Sequence, residues 1–201
     1  MAQYFEFEVS LKEVRPKIWR RFLIHEGATF MDLHEAIQDA CGWLNYHLFS
    51  FQAPGGVPLA GIPDNEYGEP EPDAEKVKIA SFFGPGGGKR CLYNYDFGDD
   101  WCHEVRMVKI LELSEKFERR LLAGARAFPK EDSGNISGYQ DCVRVALGGK
   151  DEDGIRTWIG GWHPERFDLE TVRRQFDRGQ VKKARNRRKK RAEKRGPQGL
   201  V

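Results

Sequence analysis

Polar and apolar residues alternate through the first stretch of the chain, YFEFEVSL. Tyr4, Glu6 and Glu8 share one side, and Phe5, Phe7 and Val9 share the other. A period of two describes a strand with one face in a core. After Arg15-Pro16 the run IWRRFLI predicts a second strand, with proline at its entry, where a missing N–H costs least. Thr29 and Asp32 then have the spacing of a capping box. The helix they open places Leu33, Ile37 and Ala40 on one face and stops at Cys41-Gly42. HLFSFQA predicts a third strand.

Residues 54–75 are dense in proline, glycine and acids and predict an exposed loop. VKIASFF and RCLYNYDF read as strands on either side of GPGGGK, and WCHEVRMVKILEL as a long strand. The pattern is mixed from Ser114 to Phe128, where only weak helix is expected. Ser137 and Gln140 form a capping-box pair before a helix ending at Gly148-Gly149, and Asp168 caps a last helix built on Leu169, Val172 and Phe176. Strands first and helices later predict an α+β fold, a largely antiparallel sheet with packed helices. Trp43, Phe97 and Trp101 are expected in the core.

Composition changes this picture at one end. The 201 residues suit one domain with appendages. Eleven Lys or Arg and a single acid lie between Arg178 and Arg195, a net of +10, which leaves −8 on the remainder. A compact domain over 1–177 and a basic tail over 178–201 are therefore expected. The tail has too little apolar surface to form a core of its own. It could neutralise phosphates without reading sequence, which makes DNA or RNA a candidate partner through Lys182, Lys183, Arg185, Arg187, Arg188, Lys189, Lys190 and Arg191, or it could equally fold back on the acidic body. No apolar run approaches the roughly 20 residues that cross a bilayer. The first residues lack the pattern of a secretory signal. With four scattered cysteines and no C-x-x-C, a cytoplasmic chain without membrane contact is expected.

Candidate chemistry centres on YNYDFGDDWCHEV. A turn needs one Asp and one Gly, yet Asp96, Asp99, Asp100 and His103 crowd into it. Clustered carboxylates serve acid–base chemistry or collect a hard cation, and mixed Asp/His sets bind transition metals. A second polar group, Glu131-Asp132, precedes a glycine-rich turn; helix-dipole complementarity accounts for one of its carboxylates. His34 and His47 sit beside apolar patterns where a lone histidine is more often a hydrogen-bonded core residue. GPGGGK is no phosphate loop, since Phe83 stands at the first glycine position and a strand follows.

Several segments together, VRPKIWRR, TFMDLHEAIQDACGW with NYHLFSF, YNYDFGDDWCHEV, FPKEDSGNISGY and HPERFD, are similar to the Ri-plasmid third-open-reading-frame family. Members also carry the label of insertion-sequence passenger proteins of TnpR type. The resemblance runs from Tyr4 to Phe176 and rests on DFGD-x-W-x-H combined with P-x-E-D. It implies a compact α+β domain, an unestablished biochemical role and an association with mobile elements. It implies shared polar positions at His34, His47, Asp96, Asp99, His103, Glu131 and Asp132. Phe128 and Lys130 stand where members often carry a cysteine motif, which argues against a thiolate ligand, and Asn135 stands where a second glycine is common.

Two function classes follow. One is an accessory or binding module of mobile elements, with a polar cleft for a partner and the tail for nucleic acid. The other is a metal-dependent hydrolase or nuclease, with Asp96, Asp99, His103 and Glu131 around a divalent ion and Asp132 or His47 as base.

Overall fold

The structure, a computed structural model, describes residues 1–63, 71–174, 176 and 177. In chain order the elements are β1 (Ala2–Leu11), β2 (Trp19–His25), α1 (Phe30–Cys41), β3 (Phe49–Gln52), β4 (Pro58–Gly61), α2 (Ala80–Phe83), β5 (Arg90–Tyr95), β6 (Trp101–Leu113), β7 (Arg119–Ala125), α3 (Asn135–Ala146) and α4 (Ile155–Ile159). The seven strands form one antiparallel sheet in the order β4-β3-β5-β6-β1-β2-β7, a single α+β fold. The expected tail over 178–201 lies outside the described residues.

The alternation in β1 decides what each face of the sheet does. Phe5, Phe7, Val9 and Leu11 point into the main core, where they meet α1 residues Leu33, Ala36 and Ile37. On the opposite face, Glu6 and Glu8 stay almost covered because cations close over them. Glu8 pairs with Lys17 at 2.7 Å, Arg21 at 2.5 Å and Arg106 at 3.1 Å, and Glu6 with Lys109 at 3.6 Å. Burial alone would raise the Glu8 pKa, but these three partners hold it down at about 2.

The capping box at α1 forms as its spacing predicts: the Thr29 hydroxyl accepts from the Asp32 N–H, and Asp32 accepts from the Thr29 N–H. Gly42 then ends the helix at φ 82°, a conformation open to glycine at no steric cost. Long-range contacts override the local pattern elsewhere. The mixed 114–128 region contains β7, not helix, because RRLLAGA completes the sheet beside β2. VKIASFF supplies the short α2, and the proline-rich loop contains β4. α3 starts at Asn135 behind Gly134, so the expected Ser137 box does not form. Instead Ser137 N–H donates to the Asn135 side chain at 2.8 Å. Trp43 and Trp101 are buried as expected, but Phe97 is 54% exposed, because the β5–β6 turn carries it past the last paired residues.

Candidate functional site

Three segments converge at the Tyr95–Trp101 end of the β5–β6 hairpin: the hairpin tip, the connection from α1 to β3, and the turn before α3. Tyr95 is their centre. Its hydroxyl donates to the Glu131 carboxylate in a very short hydrogen bond and accepts from the Tyr46 N–H at 3.0 Å. The other Glu131 oxygen accepts from the Leu44 N–H at 2.7 Å. Burial, reinforced by the Glu131 carboxylate, raises the Tyr95 pKa, so the phenol remains a donor. Trp43 stacks on Tyr95 at 5.1 Å and donates to the Pro129 carbonyl at 2.9 Å, which fixes the base of the Glu131 wall.

The hairpin tip is turned by its own aspartates. Asp96 and Asp100 occupy the left-handed region at φ 58° and 56°, which Asp tolerates better than most residues. One Asp96 oxygen accepts from the N–H groups of Gly98 at 3.1 Å and Asp99 at 3.3 Å. Asp100 accepts from the Asn94 side chain at 2.7 Å, and Asp99 reaches across to the Gly134 N–H at 3.0 Å. That last bond ties the tip to the opposite wall. Gly138 lets α3 lie against this wall, since a Cβ there would come within 1.8 Å of the Ser133 carbonyl oxygen.

Between the walls stands His47. Its Nε2 lies 2.8 Å from Asp132 Oδ1 and 3.5 Å from Asp96 Oδ2. Among the described residues, His47, Asp96 and Asp132 each offer a ligand atom, all within 4.8 Å of one another. Ligands about 2.1 Å from a shared ion lie roughly 3–4 Å apart, so small rotations would admit a cation. Desolvation opposes a charge on His47. The Asp132 hydrogen bond and the Asp96 and Glu131 charges outweigh it, so its pKa lies above 6.5.

The other candidates divide by burial. His103 is a core residue and lies outside the converging trio. It is fully buried between Trp43 and Phe128, with Nδ1 3.3 Å from the Tyr93 carbonyl oxygen, and burial pushes its pKa down to about 4. His34 is also in the core, with one ring nitrogen 2.8 Å from the Tyr93 hydroxyl and the other 2.8 Å from the Asn45 side-chain oxygen. Asp99, Asp100 and Glu131 flank the trio, and each accepts a hydrogen bond of its own.

Sequence reasoning missed Tyr95 and the apolar rim. Leu44 is 64%, Tyr46 71% and Leu48 49% exposed, beside Phe97. The signal was the stretch LNYHL, whose large apolar residues fit neither the end of α1 nor the start of β3.

Residues 3–171 match the family model described as "Plasmid pRiA4b ORF-3-like protein". The chain belongs to that family. It is 33% identical over 147 residues to the uncharacterized protein y4hQ of Sinorhizobium fredii, covering 73% of this chain and 75% of that protein. It is also similar to the crystal structure of a protein of unknown function, MM3350, from Methanosarcina mazei Go1. That match has 34% identity and a TM-score of 0.76, and covers 85% of this chain and 96% of the other. No helix among the described residues is long and apolar enough to cross a membrane.

Proposed function

We propose that the chain is a binding module whose polar cleft takes a divalent cation between His47, Asp96 and Asp132. The convergence of those three side chains from separate segments carries this reading. One imidazole and two carboxylates suit Mn2+, Zn2+ or Fe2+ better than a hard ion that prefers all-oxygen sites. Solvent or a ligand completes the coordination, and the rim of Leu44, Tyr46, Leu48 and Phe97 gives that ligand an apolar surface to cover. The tail residues Lys182 to Arg191 add nucleic-acid contact, and the plasmid in the family's description supports an association with mobile elements.

A metal-dependent hydrolase or nuclease is the second reading, favoured by a three-ligand set, which in catalytic zinc sites leaves a position for water. Against it, Glu131 is bound to Tyr95 and Leu44, and His47 as a ligand could not also be the base. Titration calorimetry with Mn2+ and Zn2+ decides on the cation: one site per chain is expected, weakened at least about tenfold in Asp96→Asn. An unchanged Asp96→Asn isotherm would remove the ion from the cleft. Cleavage of a nucleic-acid substrate by the metal-loaded protein, absent in Asp96→Asn, would favour the hydrolase.

A further inference from the structure

We infer that the rim of the cleft is a docking surface for another protein, and that it takes an extended segment carrying arginine or lysine beside large apolar side chains. The rim is the first observation. Leu44, Tyr46, Leu48 and Phe97 are exposed, although large apolar side chains gain by leaving water. Their backbone is held in place. Leu44 N–H bonds Glu131, Tyr46 N–H bonds Tyr95, and the Leu48 carbonyl accepts from the Asp96 N–H at 2.9 Å. That last bond joins the α1–β3 connection to the hairpin tip, so both contributors to the rim are set before a partner arrives. A surface ordered in advance loses less entropy on binding. Exposed apolar side chains with a polar border mark an interaction surface, and tyrosine and phenylalanine are enriched at the centres of such interfaces.

Charge names the occupant. Asp96, Glu131 and Asp132 border the rim on the cleft side. Among the described residues, no Lys or Arg nitrogen lies within 4.0 Å of their carboxylates, and the cationic partner of Asp96 and Asp132 is His47. Lys130, next to Glu131 in the chain, is turned elsewhere: its ammonium donates to the Trp158 carbonyl and lies 4.4 Å from that ring's centroid. Lys12 shares a cavity with Asp99 and Asp100, so those two acids add less. The phosphates of a nucleic acid or of an anionic bilayer would meet like charge here, and neither suits the rim. A purely apolar partner would cover the carboxylates without supplying a cation, which is costly. Arginine or lysine among apolar residues answers both halves of the surface. The methylene stem covers Leu44 or Leu48, and the charged head lies over Tyr46 or Phe97 beside a carboxylate. The chain makes that three-part contact internally, where Arg120 lies 4.0 Å from the Phe117 ring centroid and 2.5 Å from Glu115.

The order of residues along the rim sets the form of the partner. Leu44, Tyr46 and Leu48 recur at every second position, while Asn45 and His47 between them are held by His34 and Asp132. An extended segment has the same period of two and can lay apolar and basic side chains against the rim in turn. Phe97, from the hairpin tip, gives such a segment a second wall to pack on.

The inference rests on the cleft being a contact site, but it does not require the metal, so its test uses the full chain in chelator. Three fluorescent peptides of equal length are the probes. The first alternates leucine pairs with arginine pairs, so that either face of an extended chain carries both. The second has glycine in place of leucine, and the third has glutamate in place of arginine. At low salt, fluorescence anisotropy should show the first binding at least about tenfold more tightly than the other two. Its advantage over the glutamate peptide should largely disappear at about 0.5 M salt, where the Debye length is only a few ångströms. The double variant Tyr46→Ala/Phe97→Ala should weaken it at least about tenfold, with the thermal midpoint unchanged because both side chains are exposed. Equal affinity for the three peptides, preference for the glutamate peptide, or undiminished binding in the double variant would overturn the proposal. Other occupants are separated by two further measurements. A dimer seen by sedimentation that dissociates in the double variant would assign the rim to a second copy. Binding to phosphatidylserine vesicles or to a DNA oligonucleotide that falls in the double variant would assign it to an anionic surface. Either result would overturn docking of a basic segment. A protein that binds no divalent cation would still discriminate among the peptides, and one indifferent to them would still titrate with Mn2+.

Discussion

Two groups of carboxylates in this fold look alike in sequence and differ in what surrounds them. Glu6 and Glu8, on the outer face of β1, are nearly covered, and Lys17, Arg21, Arg106 and Lys109 close over them. Asp96, Asp99, Asp100, Glu131 and Asp132, at the end of the sheet, have one histidine and a set of N–H and O–H donors. The first group is electrostatically complete and stabilises the sheet. The second orders three segments around a cleft and, among the described residues, has no Lys or Arg in a salt bridge with it. Acid content alone does not separate the two groups; the groups packed around each one do.

The largest effect that would sharpen this contrast is stabilisation by a cation. At one hundred times its dissociation constant, Mn2+ or Zn2+ should stabilise the native chain by about 2.7 kcal/mol. The gain should persist in Glu8→Gln and vanish in Asp96→Asn, read as the shift in thermal midpoint on adding metal. A gain retained in Asp96→Asn would place the ion elsewhere and break the comparison.

Next in size is the loss of Glu8. Glu8→Gln leaves Lys17, Arg21 and Arg106 without their anion and should cost about 1–2 kcal/mol, a value reduced because all three cations reach water. The Glu8 pKa is lowered from 4.5 to about 2, so its contribution is complete above 4.5 and is lost as pH falls toward 2. Chemical denaturation of parent and variant between pH 7 and 2.5 should therefore converge at the acid end. Parallel curves would mean that Glu8 is not the group titrating there.

How far the sequence carries can be judged from particular residues. Alternation in YFEFEVSL and the Thr29–Asp32 spacing are local signals. β1 and the start of α1 follow from them because each residue's partner is a few positions away or on the same face. β7 was illegible because RRLLAGA owes its strand to β2, nearly a hundred residues earlier, through a register that shifts at a bulge. For the site, the acids of the hairpin tip and the Glu131-Asp132 pair stand out in sequence. Which histidine joins them does not. His103 sits within the acidic motif yet points to the core, since β6 alternation puts it on the face of Trp101 and Val105. His47 comes from a connection whose path depends on the Tyr95 hydroxyl.

The smallest expected effect is the most direct test of the cleft's charge. In chelator, Asp132→Asn should change stability by no more than about 0.5 kcal/mol, because the His47–Asp132 pair is largely exposed on the Asp132 side. Its sign should depend on pH. His47 is raised above 6.5 by Asp132, Asp96 and Glu131, working against desolvation. Its contribution is therefore fully present below 6.5 and lost as pH rises through the raised value. Replacing Asp132 should thus destabilise slightly at pH 5.5. Well above the raised pKa it should be neutral or slightly stabilising, since one of the crowded negative charges has gone. Cation binding must run the other way, because a metal ligates only the neutral imidazole and displaces its proton. Affinity for Mn2+ should rise with pH across the same interval in which the His47–Asp132 stabilisation declines. Imidazole chemical shifts followed by NMR at each pH, with and without metal, would show both. A His47 titration indifferent to Asp132→Asn would mean that these carboxylates do not act on it, and the cleft would be no more than a hydrogen-bonded turn.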